Sequence, residues 1–335
     1  MIKEFFKNLL PLPAEKTHEK FDKLNELLEL KMDALSSMVI NVNNDMARRI
    51  TEANRDVNRQ LDDTGQLLLK EIQHFMGMWQ EEIIASRERA TASYVYSYIK
   101  KMRDMLKVME VMEEKNAYCR VGRAYDGGYI MLEDFKHSSI AYSIGICDDV
   151  SWDRDMADRG LEVYMYDHTI DGLPEKNEKF HWYKIGLTGT YNKEIPYLKT
   201  LPMLLEENGH TDKNGMVLKM DIEGAEWDVL AKLDRAVLSR FSQLVFEFHD
   251  LNNLAMESVM TSALKNLNEV HQLVHVHGNN WEGYKMADGL VLPDALECTY
   301  LNRKEYNFCT SEKFFPLVID QVNNPCKPEI VLGKW

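Results

Sequence analysis

Two patterns of apolar and polar residues divide this chain. From Lys16 to about Glu114 apolar positions recur at helical spacing, and the only glycines are Gly65 and Gly77. No proline occurs between Pro13 and Pro174, and Leu, Met, Glu, Lys, Arg and Gln, all tolerant of helix, dominate the stretch. Phe21, Leu24, Leu28, Leu35, Met38 and Val42 follow heptad-like spacing, interrupted by Lys31. Met46, Val57, Leu68 and Trp79 then stand eleven apart, as do Ile50, Leu61, Ile72 and Ile83. Ala53, Thr64, Phe75 and Ser86 make a weaker third row. Eleven residues over three turns predict a straight or slightly right-handed coiled coil. So narrow a stripe cannot be buried by one helix alone, so self-association is expected, with Gly65 and Gly77 as weak points. The alternative is one helix folded back on its own domain.

Near Tyr118 short apolar runs begin to alternate with helical stretches. Strands are expected at Ile140 to Ile146, Glu162 to Tyr166, Phe180 to Ile185, Met216 to Met220 and Gln243 to Phe248. A late pair is expected at Leu273 to His277 and Gly289 to Leu292, and a helix at Asp153 to Arg159. Such alternation predicts an α/β fold with a doubly wound, mostly parallel sheet. The expected division is a tip at 1–16, a helical oligomerisation or spacer region at 17–115, and an α/β domain at 118–335.

Composition narrows the function. A formal net charge of −14 argues against nucleic acid as a partner. Cys119, Cys147, Cys298, Cys309 and Cys326 contain no C-x-x-C pair, which suggests reduced thiols in the cytoplasm. No apolar run approaches the ~20 residues of a transmembrane helix. Met1 to Leu10 reads either as a frayed helix stopped by Pro11 and Pro13, the favoured reading, or as a peripheral contact with the inner face of a membrane or with an assembly.

The chemistry gathers at strand ends. Val217 to Met220 delivers Asp221 and Glu223 to the edge where open α/β sheets bind ligands. The first strand ends in Gly145-Ile146-Cys147-Asp148-Asp149, a turn hostile to a pyrophosphate but suited to an ammonium or sulfonium. Asp149 or Ser151 capping the next helix is the plainer reading. Tyr166-Asp167-His168 puts an acid where ribose hydroxyls are commonly held. These signals together suggest S-adenosylmethionine. The next strand supplies Glu247 and His249 on one side; the late pair supplies His275, His277, Asn279 and Asn280. For each the plainer reading is a structural hydrogen bond. Asp221 or His249 would serve as base toward an acceptor hydroxyl, or Asp221, Glu247 and His249 would hold a divalent cation. Upstream, Asp126-Gly127-Gly128-Tyr129 marks a turn, a hairpin-like entry or a lid, and Arg120 and Arg123 are the nearest cations for a cofactor carboxylate.

These motifs resemble the FkbM-type branch of class I S-adenosylmethionine-dependent methyltransferases. The matching pieces are Asp126 to Tyr129, Tyr142 to Asp153, Tyr166 to Ile170, Leu218 to Trp227, Phe246 to His249 and His277 to Asn280, in family order over about two thirds of the chain. Cys147 stands where many relatives carry a second glycine. The resemblance implies a Rossmann-like methyltransferase fold and O-methylation of a sugar or glycan hydroxyl. By it Asp221, His249 and Glu223 are the catalytic candidates. Gly145, Asp149, Asp167, His168, Arg120, Asp126 and Gly127 are the candidates for cofactor binding. Two alternatives stand beside this reading: a coiled-coil scaffold whose domain only binds ligand, and a methyltransferase of a protein or small-molecule acceptor.

Overall fold

Strands with successive apolar residues, such as Val217 and Leu218 in their run, can be buried on both faces inside a covered parallel sheet. The computed structural model, which describes residues 15–57, 63–253, 255–287 and 289–335, shows this arrangement. The chain divides into two compact units, one ending at Tyr98 and the other Ile99–Trp335.

Up to Tyr98 the described chain is helical. Helix α1 is Glu15–Val57, and α2 is Asp63–Val108, running through Gly65 and Gly77 without interruption. Leu28, Leu35, Met38, Val42, Phe75 and Trp79 are all at least 46% exposed, so these positions of the predicted stripe have no cover, whereas Met46, Ile72 and Ile83 are half-buried. Leu61 and the tip at 1–10 lie outside the described residues. No described helix is long and apolar enough to cross a membrane.

The second unit begins upstream of the expected Tyr118, because the last turns of α2 bury Met102 and Met105 in it. Strand β1 (Met112–Glu113) pairs with β13 (Cys309–Thr310). A hairpin of β2 (Tyr118–Val121) and β3 (Tyr129–Leu132) follows, as the Asp-Gly-Gly turn implied. Then come β4 (Ile140–Ile144), α3 (Ser151–Asp158), β5 (Glu162–Tyr166) and β6 (Phe180–Tyr183). After the short pair β7 (Gly186–Leu187) and β8 (Leu198–Lys199) come α4 (Leu201–Glu207), β9 (Met216–Met220), α5 (Glu226–Lys232) and α6 (Arg235–Leu238). The last elements are β10 (Phe241–Phe248), α7 (Glu257–Asn268), β11 (His271–Ala287) and β12 (Leu290–Asn302).

Among the described residues the main sheet has seven strands in the order β11-β12-β10-β9-β4-β5-β6. The five from β10 to β6 are parallel neighbours, whereas β12 runs antiparallel to both β10 and β11. The late pair is therefore a long hairpin, far longer than its apolar cores suggested, and polar residues lie within it. Every residue of β9 and β10 is buried. Phe246 and Phe248 stack at 4.9 Å, and Trp227 of α5 stacks on Phe248 at 4.5 Å, locking the turn after β9 onto the sheet. Each such ring contributes about 1.5–3 kcal/mol by leaving water. The parallel strands end together, and the candidate residues follow those ends.

Candidate functional site

Gly145 sets the register of the site. Its φ is +82°, and a Cβ there would lie 1.6 Å from the Asp221 carbonyl oxygen. The glycine thus lets the turn after β4 close onto the end of β9, rather than making room for a ligand. Next to it Cys147 adopts φ +52°, a left-handed conformation that costs an L-residue roughly 1–2 kcal/mol. That explains why a glycine suits this position.

A cavity of about 240 Å³ opens at the strand ends. Six of the ten catalytic and cofactor candidates line it: Asp126, Gly127, Asp149, Asp221, Glu223 and His249. Gly145, Asp167, His168 and Arg120 do not. The Asp167 carboxylate is filled by four donors: Ile146 N and Cys147 N at 2.9 Å, Thr169 N at 2.7 Å and Thr169 Oγ1 at 2.6 Å. Burial opposes its charge, but these donors hold its pKa below the ordinary carboxylate value. As it stands, Asp167 anchors the glycine turn, and a ribose would have to displace one of those donors. His168 is exposed and stacks on Tyr197 at 5.7 Å. Arg120 donates to the carbonyls of Arg123 and Tyr125, stapling the loop before β3. Arg123 takes its place as the lining cation, 3.3 Å from Asp149. Asp149 also accepts from Ser151 N and Oγ, so it fastens the start of α3 while facing the cavity.

His249 is the electrostatic centre. Its Nδ1 faces Glu226 at 3.4 Å; its Nε2 faces Glu247 at 3.5 Å, Glu223 at 3.6 Å and Asp221 at 3.9 Å. Burial works against its charge, yet the bond to Glu226 and the charges of Glu247, Glu226 and Asp221 lift its pKa to about 10. The surrounding acids favour the imidazolium form, in which His249 holds them in place and Asp221 is the better placed of the two expected bases.

Glu226, which the sequence reading passed over, organises the loop. It is wholly buried and accepts from Ile222 N at 2.7 Å and Gly224 N at 2.9 Å. Glu226, not Glu223, fastens this loop. Glu223 instead sits at φ +57° with an 87% exposed side chain at the rim. Tyr129 was also missed, although it closes the Asp-Gly-Gly turn: its hydroxyl donates to Asp221 at 3.2 Å. Lys219 lines the floor, donating to the Gly145 carbonyl at 2.6 Å. Asn279, Trp281 and Glu282 of β11 complete one wall. His275 and His277 stand outside the lining, bonded to Asp320 and to Glu297 and Glu329.

Two groups of acids converge. Asp221, Glu223 and His249 bring one ligand atom each to within 4.8 Å of one another, as do Asp126, Glu247 and Glu297. In the second group burial first, then the charges of Asp221 and Glu297, raise Glu247 well above the ordinary carboxylate pKa.

Comparison with known proteins fits this geometry. Residues 90–278, more than half of the chain, match the model of the methyltransferase FkbM domain. The chain is 32% identical over 118 residues to a probable methyltransferase-like protein 24 of Homo sapiens, and equally to that of Rattus norvegicus. Each match covers 32% of this chain and 32% of the relative, so the chain spans about a third of the length of these curated relatives. A putative hemolysin from Streptococcus thermophilus aligns over 49% of this chain and 58% of its own, at 10% identity and a TM-score of 0.29.

Proposed function

Because the chain belongs to the FkbM methyltransferase family, we propose that it moves the methyl group of S-adenosylmethionine to a hydroxyl of a sugar on a glycan or glycolipid. The S–CH₃ bond breaks as the O–CH₃ bond forms, its electrons staying on sulfur. The hydroxyl proton goes to Asp221 and then to solvent. The sulfonium is already a strong electrophile, so the protein needs only to align the acceptor and take that proton. The observation that carries this reading is Asp221 at the end of β9, with its carboxylate bonded by Tyr129 and flanked by His249. Tyr129 and the imidazolium orient Asp221 and leave it as the proton acceptor.

Asp126, Gly127 and Asp149, with Arg123 in place of Arg120, form the cofactor side, their carboxylates suiting its ammonium and sulfonium. The lining holds Asp126, Asp148, Asp149, Asp221, Glu223, Glu247 and Glu282 against Arg123, Lys219 and the His249 imidazolium, which disfavours phosphorylated or otherwise anionic acceptors. Carboxylates accept from sugar hydroxyls, and the half-exposed Trp281 offers a flat face to a sugar ring. Five free thiols suit the cytoplasm. The exposed apolar stripe of α1 and α2 supports self-association as a coiled coil that spaces the domain from an assembly.

A divalent cation at Asp221, Glu223 and His249 is the second reading. One observation favours it: Glu226 behind Nδ1 leaves Nε2 aimed at the carboxylates, the arrangement in which a carboxylate backs a metal-binding imidazole. To bind there the ion would displace the proton that the acids otherwise hold on Nε2, and once bound it would acidify an acceptor hydroxyl.

The test is labelled S-adenosylmethionine against the host's glycan and lipid fractions, with and without chelator. Transfer to a neutral glycan supports the proposal; cofactor binding without transfer to any hydroxyl supports a scaffold; transfer to protein or small molecules changes the acceptor. Light scattering on the full chain and on one starting at residue 99 tests the coiled coil, and monomers in both would refute it.

A further inference from the structure

The acids Asp126, Glu247 and Glu297 raise a problem of charge. Glu247 and Glu297 face each other directly across β10 and β12, and Asp126 closes in from the hairpin loop. Buried like charges so close repel strongly unless donors compensate them. Two asparagine amides do so. Asn279 Nδ2 donates to Glu247 at 2.7 Å and to Asp126 at 3.4 Å. Asn323 Nδ2 donates to Glu297 at 2.5 Å and to Asp126 at 3.2 Å.

Asn323 is 1% exposed, and its Oδ1 has no partner among the described residues. Turning the amide over would set that oxygen against two carboxylates, so the acids fix its orientation. The residue is held for its two N–H groups. It lies on a segment after β13, outside the 90–278 match. That segment is tied to the site strand: Asp320 bonds His275, Glu329 bonds His277, and Asn324 N donates to Asn280 Oδ1 at 2.6 Å. Gln321 Oε1 accepts from Tyr125 N, next to Asp126.

We infer that Asn323 is a positioning residue for cofactor binding: by donating to Asp126 and Glu297 together, it keeps the Asp126 carboxylate turned into the cavity toward the cationic methionine end of S-adenosylmethionine. The inference rests on the methyltransferase reading. Asn323 touches no reacting atom and acts through Asp126.

Calorimetric titration of S-adenosylmethionine into the full-length protein tests it. N323A should weaken binding tenfold or more. N323D, nearly the same size, should weaken it further, because it replaces the shared donor with a third facing anion. In a D126A background, N323A should cost less than twofold more, since the residue it positions is gone. Wild-type-like binding by N323A, N323D binding better than N323A, or losses that multiply independently would each overturn the inference. If N323A does not fold, N323S, which keeps one donor, carries the test with an expected loss of threefold or more; wild-type-like binding by it overturns the inference. A wild-type protein that binds no S-adenosylmethionine refutes the methyltransferase reading itself, a result separable from all of these.

Discussion

His277→Asn should remove a stabilisation that depends on pH. The ring is fully buried between Glu297 at 3.0 Å and Glu329 at 3.3 Å. Burial pulls its pKa down, but the charge of Glu297 and the hydrogen bonds to both acids lift it to about 10. In the unfolded chain it would titrate near ~6.5. A folded pKa above the unfolded one means that the stabilisation is whole below pH ~6.5, shrinks as pH rises, and is gone above ~10. A gap of roughly 3.5 units at 1.36 kcal/mol each sets a ceiling of about 5 kcal/mol, and sharing of the proton with the acids lowers it to about 3–5 kcal/mol. In a domain of this size that is a melting difference of about 6–20 °C. Melting of wild type and variant should therefore differ by that much at pH 6 and by about 2 °C or less at pH 10. Glu329→Gln, which removes one of the two acids, should show a smaller gap that closes over the same range. A difference that stays constant from pH 6 to 10 would refute the charged state of the ring.

Asp221→Asn should cut kcat by about 10²–10⁴-fold while cofactor affinity changes only a few-fold, because it removes the proton acceptor and leaves the pocket; single-turnover methyl transfer beside calorimetry decides it, and retained turnover would exclude Asp221. Cys147→Gly should raise stability by roughly 1 kcal/mol by relieving the left-handed residue, read as a melting rise of about 2–4 °C, and a lower melting point would contradict this. Gly145→Ala should cost more than ~3 kcal/mol or prevent folding, since its methyl would overlap the Asp221 carbonyl; soluble expression and melting report it, and a wild-type melting point would refute the close approach. If the second reading of the Asp221, Glu223 and His249 group holds, chelator should abolish turnover, Mn²⁺ should restore it, and Glu223→Gln should weaken Mn²⁺ binding seen by spin resonance; chelator-resistant turnover rejects it.

The parallel strands were legible because burial leaves runs dominated by apolar residues, broken at Lys219 in Met216 to Met220 and opened by Glu162 in Glu162 to Tyr166; both stand at their expected bounds. The long hairpin was not, because Asn279, Asn280 and Glu297 are polar residues inside strands, tolerated only through partners distant in sequence. The site divides the same way. Asp221, Glu223 and His249 follow strand ends and were visible from that alone. Glu226 was hidden because nothing in the spacing says which acid turns back onto the loop. At Asp167 the position was visible, but the four donors its carboxylate accepts from were not, because a sequence reveals position and not hydrogen bonding. For His275 and His277 the plainer structural reading could be stated but its partners could not be named, because Asp320 and Glu329 come more than forty residues later.

The strand order also constrains how the domain is made. β12 stands between β10 and β11, although it is synthesised after both. On the ribosome, a nascent chain that has emerged only through residue 278 presents β10, mostly apolar but carrying Ser242, Gln243 and Glu247, with an open edge and leaves β11 without its neighbour. Residues 290–302 insert last and bring Glu297 opposite Glu247. Completion of the central sheet and assembly of the acidic floor are thus one late event in biosynthesis, and until then the exposed β10 edge is the segment that most needs chaperone cover.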